Sequence, residues 1–317
     1  MVTLLDIKAA QQTIKGVAAR TFLIRCGADD SFFLKPESLQ PIGAFKIRGA
    51  YNKIISLSDA ERKKGVIAHS SGNHAQAVAY AARALGLKAV VVVPSGIPPV
   101  KLEAIKSYGA EVVLVGNASA DRVSKAEELA LQHGYVPVPP YDDEKIIAGQ
   151  GTIGLEILED MKDVEMVLVP VSGGGLISGI ASAIKQSSSK VKVIGVEPEL
   201  AADAQESLRS KKRVTWPAEK VSSTIADGLR ANPVGEIPFA HIQRYVDDIV
   251  TVTENEIRSA MRHIAQTARL IAEPSGAVAT AAHLFHPWEL PASKKTVAIL
   301  SGGNLTPEML ASVMSGA

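Results

Sequence analysis

The chain has 317 residues, 46% hydrophobic and 21% charged, enough for one large domain or two ordinary ones with a buried core. Its 34 basic and 33 acidic side chains leave a net charge of +1, which gives no reason to expect nucleic acid or a membrane surface as a partner. The one cysteine, Cys26, cannot close an internal disulfide, residues 1–12 carry no signal-peptide pattern, and no apolar run reaches the roughly 18 residues of a transmembrane helix, so a cytoplasmic protein is expected.

Short runs rich in valine and isoleucine predict strands at 66–68, 89–93, 111–115, 166–171, 192–196 and 296–300, the composition of strands buried on both faces of a parallel sheet. Helical patterns lie between them. Ala75, Val78, Ala82 and Leu85 form one apolar stripe, closed by Gly86. Val123, Ala126 and Ala130 repeat the pattern ahead of Gly134. This alternation predicts an α/β architecture with mainly parallel sheets. Two polar stretches read as seams: 58–64, and 136–145, where Pro137, Pro139 and Pro140 precede three acidic residues. Residues 54–145 are therefore expected to form a small domain inserted in a larger one made of 1–53 and 146–317. A tandem two-domain split at the second seam is the alternative.

Four segments carry chemistry. Lys46 sits in the mostly apolar stretch 41–50 near a helix start, where burial would favour its neutral, nucleophilic form. Taken alone it reads more readily as a surface charge, as most lysines are. Ser70-Ser71-Gly72-Asn73-His74 lies between a strand and a helix, as either a ligand loop or a helix cap. Ser172-Gly173-Gly174-Gly175-Leu176 follows the strand 166–171, so its backbone N–H groups can converge on a phosphate at a helix N-terminus. It has neither the Lys-Ser/Thr ending of a P-loop nor a dinucleotide fingerprint. Ser301-Gly302-Gly303-Asn304 follows the strand 296–300, where a hydroxyl can meet a ligand in the crevice.

Together these segments resemble the fold-type II pyridoxal phosphate (PLP) enzymes, which are tryptophan synthase β-like, and among them the serine/threonine dehydratase and serine racemase group. Lys35 to Gln40 followed by Gly43-Ala44-Phe45-Lys46 resembles the cofactor-lysine segment, Ser71 to His74 the asparagine loop, and Ser172 to Leu176 the phosphate loop. Gly149-Gln150-Gly151-Thr152 is similar to a signature ahead of a long helix, and Ser301 to Asn304 to the pyridine-nitrogen segment. The order and spacing agree over nearly the whole chain.

The resemblance implies two three-layer α/β/α domains, a homodimer, and PLP carried by Lys46, which also removes the substrate α-proton. It implies that Phe45 packs beside the cofactor and Asn73 bonds its phenolic oxygen. The backbone of Ser172, Gly173, Gly174, Gly175 and Leu176 would hold the phosphate, and Ser301 would face the pyridine nitrogen. A hydroxyl there cannot protonate the nitrogen as a carboxylate would, which favours prompt β-elimination over transamination. The implied activity is an ammonia-lyase (dehydratase) that converts serine, threonine or 3-hydroxyaspartate into a 2-oxo acid and ammonia.

The alternative is an amino-acid racemase, with Ser71 as the base opposite Lys46. The presence of Lys46 argues against a non-catalytic binding module. Ser70, Ser71, His74 and Arg122 would line the substrate, with Arg122, Ser71 and His74 placed to receive the second carboxylate of 3-hydroxyaspartate. A solvated helix charge is the other reading of Arg122. Tyr141 stands where mammalian serine racemase has asparagine. Glu197, the Ala201 carbonyl and Asp203 resemble the family's divalent-cation site, with oxygen ligands suited to Mg²⁺, or to Ca²⁺ or Mn²⁺. No C-terminal regulatory domain of the kind carried by biosynthetic threonine dehydratases is expected.

Overall fold

The computed structural model describes every residue except Asp29, Ser71, Ala118 and Ala317, with Ser119 described by its backbone alone. Its strands are β1 (Ile24–Arg25), β2 (Phe32–Pro36), β3 (Val66–His69), β4 (Ala89–Pro94), β5 (Glu111–Val115), β6 (Val136–Pro137), β7 (Met166–Pro170), β8 (Lys192–Pro198), β9 (Asp248–Val252) and β10 (Thr296–Leu300). They form two sheets, one in the order β1-β2-β10-β7-β8-β9 and one in the order β5-β4-β3-β6. Every pairing is parallel except β1 with β2.

The valine-rich runs became strands, and all but β5 are covered on both faces; β5 is an edge strand with Glu111 and Leu114 exposed. Along β7, Met166 and Leu168 enter one core cluster while Val167 and Val169 enter another. Along β4, Val90 and Val92 likewise part from Val91 and Val93. Each fully buried valine or isoleucine contributes roughly 1.5–3 kcal/mol. The stripe of Ala75, Val78 and Ala82 lies on the helix Asn73–Ala84, and Gly86 beyond it has φ +67°. The run after Ser119 forms the helix Ser119–His133, and Gly134 follows with φ +73°.

Four strands lie outside the runs read from sequence. β2 is masked by Lys35, a charged residue that is nonetheless fully buried. β9 is an edge strand with exposed Asp248, and β1 and β6 are two residues each. The polar stretch 58–64 is a solvent-facing helix, Asp59–Lys64, with no buried residue to give it an apolar stripe; Ser58 and Glu61 form its capping box. Gly149 to Thr152 lie inside the helix Glu144–Asp160 rather than ahead of it. There a side chain at Gly149 would meet the Arg48 carbonyl at 2.6 Å, so glycine permits the close approach of the helix Lys46–Ile55.

That helix packs on both Asn73–Ala84 and Glu144–Asp160. β3, β7 and β10 end at the loops 70–73, 172–176 and 301–304, and β7 and β10 are neighbours. Among the described residues, no helix is long and apolar enough to cross a membrane.

Candidate active site

Lys46 is the first residue of its helix and is half-buried. Its Nζ donates to the Pro140 carbonyl at 2.7 Å and lies 5.1 Å from the centre of the Phe45 ring. Burial around the amine lowers the ammonium to about 8, so a substantial neutral fraction exists near physiological pH. Phe45 is half-buried against the core beneath β7.

The 43–46 and 301–304 segments are zipped together across the chain. The Phe45 N–H donates to the Ser301 carbonyl at 3.1 Å, and the Gly303 N–H to the Gly43 carbonyl at 2.9 Å. Ala44 and Gly302 form an isolated antiparallel bridge. Ser301 is buried, its hydroxyl 3.4 Å from the Ser275 carbonyl.

Asn73 begins the helix Asn73–Ala84, and its amide is held on both sides. Nδ2 donates to Glu273 Oε1 at 2.7 Å, and Oδ1 accepts from Asn304 Nδ2 at 2.8 Å. One Asn73 N–H stays available. Glu273 is buried, and burial first, then the charge of Asp227, raises its carboxyl to about 8 against the bond from Asn73. The acid is therefore protonated at neutral pH. Sequence reading missed Glu273 and gave Asn304 no role of its own within the 301–304 segment; Glu273 directly precedes Pro274, which opens a helix, and reads simply as a helix-cap acid.

In the 172–176 loop, Gly174 takes φ +87° as the cap residue of the helix Gly175–Ser187, and no side chain caps that helix. The left-handed conformation favours glycine. The Ser172 hydroxyl accepts from the Ala231 N–H at 3.0 Å, and the loop is otherwise backbone, walled by Tyr141 on Gly173 and by Val234 and Pro238 on Gly174. An uncapped helix start without a competing carboxylate fits a phosphate group. With the low-pKa amine of Lys46, the residues present fit PLP.

His74 is buried, and its Nε2 lies 2.7 Å from the Val138 carbonyl. Burial, then the charge of Lys46, lowers it to about 3. The ring is neutral, Nε2 must carry the proton to meet a carbonyl, and Nδ1 remains an acceptor. The Ser70 hydroxyl accepts from the Gly72 N–H at 3.3 Å. Ser71 lies outside the described residues. Arg122 is half-buried, with Nη1 3.3 Å from the Asn117 carbonyl. It also acts on His69 at the end of β3, whose pKa is lowered by burial and then by the Arg122 charge.

Behind the site, Lys35, Glu37, Arg48 and Glu156 form a buried ionic network. Arg48 bonds Glu37 at 2.7 and 2.8 Å and Glu156 at 2.6 and 3.0 Å, and Lys35 bonds Glu156 at 2.6 Å. Arg48 lies on the same helix as Lys46, two residues on.

Glu197 and Asp203 are both buried at the end of β8. Glu197 accepts from the Ala204 and Gln205 N–H groups at 3.2 and 2.8 Å, and Asp203 from the Val234 N–H at 3.0 Å. Burial and the nearby Asp203 charge raise Glu197 well above the carboxylate range. The described residues hold no group of three or more His, Cys, Asp or Glu suited to a metal. The expected set has two carboxylates and the carbonyl of buried Ala201, and two close buried acids fit a hard cation.

Residues 16–302 match the family described as "Pyridoxal-phosphate dependent enzyme". The chain is 45% identical to the L-threonine ammonia-lyase of Thermotoga maritima over 318 aligned positions, covering 98% of this chain and 77% of that protein. It is 44% identical to the catabolic L-threonine dehydratase of Escherichia coli K12, covering 95% and 92%. The fold superposes on maize serine racemase with a TM-score of 0.94 at 35% identity, covering 99% and 97%. With the lysine paired to the serine segment and joined through Pro140 and Tyr141 to the glycine loop, the chain belongs to the family of pyridoxal-phosphate dependent enzymes, in its serine/threonine dehydratase and serine racemase branch.

Proposed function

We propose that this chain is a PLP-dependent ammonia-lyase that eliminates water from a small β-hydroxy amino acid, with L-threonine or L-serine as the first substrates to test. The carrying observation is the Lys46 amine, lowered to about 8 and joined through one short strap to the glycine loop. The threonine-specific names of relatives at 44–45% identity support the substrate class.

In this reading Lys46 would hold the cofactor covalently, with Phe45 beside it. The backbone of 172–176 would bind its phosphate, the free Asn73 N–H its phenolic oxygen, and Ser301 its ring nitrogen. When bound, PLP would supply an electron sink for the charge left as the α-proton departs. The Lys46 amine would take that proton. Protonated Glu273 keeps Asn73 oriented without placing a negative charge beside it. Ser70 and Ser71 flank the substrate.

The network of Lys35, Glu37, Arg48 and Glu156 keeps the helix that carries Lys46 in place. Residues 1–53 with 146–317 form the larger, cofactor-binding domain and 54–145 the smaller, a division supported by the membership of β3 to β6 in one sheet. Arg122 receives the second carboxylate of a dicarboxylic substrate such as 3-hydroxyaspartate, supported by its half-buried place beside His69. Glu197, Ala201 and Asp203 hold a structural Mg²⁺, Ca²⁺ or Mn²⁺. The protein acts in the cytoplasm as a homodimer.

An assay for 2-oxo acid and ammonia over both enantiomers of serine, threonine and 3-hydroxyaspartate tests the reading, and turnover of L-threonine or L-serine is expected. The likeness to serine racemase favours one other reading. Chiral analysis of the remaining substrate separates the two: opposite enantiomer building up faster than 2-oxo acid overturns the lyase.

A further inference from the structure

Residues 138–143 run as a strap from the smaller sheet to the larger. The Val138 N–H donates to the Ile67 carbonyl at 2.9 Å. Pro137, Pro139 and Pro140 lack N–H groups, so the strap meets its surroundings through carbonyls. The Val138 carbonyl takes His74 at 2.7 Å and the Pro140 carbonyl takes Lys46 at 2.7 Å. Beyond Tyr141, Asp142 accepts from the Glu236 and Ile237 N–H groups at 3.1 and 2.9 Å. Asp143 caps the helix Glu144–Asp160 and pairs with Lys53 at 2.6 Å.

Between those anchors, the Tyr141 ring covers the glycine loop. A Cβ at Gly173 would lie 2.2–2.4 Å from three ring carbons of Tyr141, and one at Gly175 would lie 2.9 Å from its Cβ. Gly173 has no left-handed φ, unlike Gly174, so its backbone conformation is open to any residue. The three nearest obstacles to a side chain there all belong to Tyr141. Glycine at 173 and the aromatic ring at 141 are one fitted pair.

We propose that Tyr141 is a positioning residue for the cofactor's phosphate: its ring, lying where any side chain at 173 would lie, holds the 172–176 loop in fixed relation to the strap that also engages Lys46. The inference rests on the PLP reading. Its physical basis is preorganisation, since a loop already ordered loses less entropy when its N–H groups close on an anion. The phenol acts little in this, so the ring alone suffices.

The test measures the PLP dissociation constant of resolved protein by equilibrium dialysis, with melting temperature followed in parallel. Tyr141→Ala should weaken PLP by about tenfold or more, whereas Tyr141→Phe should stay within about threefold of wild type. Gly173→Ala should also weaken PLP, and Tyr141→Ala/Gly173→Ala should bind more tightly than Gly173→Ala alone, because removing the ring frees the space. Should Gly173→Ala not fold, the Tyr141→Ala and Tyr141→Phe pair still decides. Wild-type affinity in Tyr141→Ala, or equal losses in Tyr141→Ala and Tyr141→Phe, overturns the inference while leaving the PLP reading intact. A wild-type protein that takes up no PLP, and yields no borohydride-fixed adduct on Lys46, overturns both.

Discussion

Glu273 accepts a 2.7 Å hydrogen bond from the Asn73 amide across 200 residues of sequence, joining the start of one helix to the cap of another. Burial and the charge of Asp227 raise Glu273 to about 8, while Asn73 and Lys101 pull against them. Below pH 8 the acid is neutral; above it, a negative charge stands beside Asn73. Activity should therefore fall on the alkaline side as Glu273 ionises, and Glu273→Gln should flatten that limb. The same shift has a stability consequence. A carboxyl raised from 4.5 to about 8 on folding favours the native state most fully below pH 4.5, and that contribution is lost as pH rises toward 8. Urea midpoints of wild type and Glu273→Gln across this window should diverge; parallel curves would contradict the shift.

Lys46 needs its neutral amine to capture PLP. With the ammonium lowered to about 8, the second-order rate of PLP uptake by resolved protein should rise with pH, reach half its plateau near pH 8 and level off above. Lys46→Ala should give no borohydride-fixed adduct at any pH. A rate still climbing steeply at pH 10 would mean an ordinary, unshifted lysine.

Arg48 joins Glu37 and Glu156 in a fully buried network. Arg48→Met leaves both acids without their main partner and should cost about 3–5 kcal/mol of stability, read from urea unfolding monitored by circular dichroism. A loss below about 1 kcal/mol would show that the network does not hold the helix carrying Lys46.

Arg122→Ala should reduce kcat/KM for 3-hydroxyaspartate by roughly tenfold or more relative to serine, since one hydrogen bond between charged groups is worth about 1.5–3 kcal/mol. Equal losses on the two substrates would return Arg122 to the role of a solvated helix charge.

Chelation should lower the melting temperature of wild type if a cation bridges Glu197 and Asp203, and added Mg²⁺ or Ca²⁺ should restore it. Asp203→Asn should show no such response. Identical melting curves with and without chelator, on protein shown to be metal-loaded, would remove the cation from the site.

The sequence by itself determined the architecture and pointed to the candidate reaction centre. Valine-rich runs such as 166–170 fix buried parallel strands because no other element uses a short β-branched run covered on both faces. The glycine run after β7 marks a candidate anion site, since the φ of +87° at Gly174 favours glycine ahead of an uncapped helix. Lys46, ambiguous alone, was singled out by the motifs around it.

Tertiary structure decided what depends on distant partners. Nothing in the sequence marks Lys35 as buried, and only the meeting of β2 with Glu156 and Arg48 made it core. The proline-rich stretch 136–145 read as a seam, yet its carbonyls engage His74 and Lys46 and its tyrosine covers Gly173. Glu273 gave no local signal, because its raised pKa comes from burial and from Asp227, and its role from Asn73. Backbone geometry and burial leave a pattern in neighbouring residues; a hydrogen bond between residues 73 and 273 leaves none, since its two halves lie on unrelated elements that only the folded chain brings together.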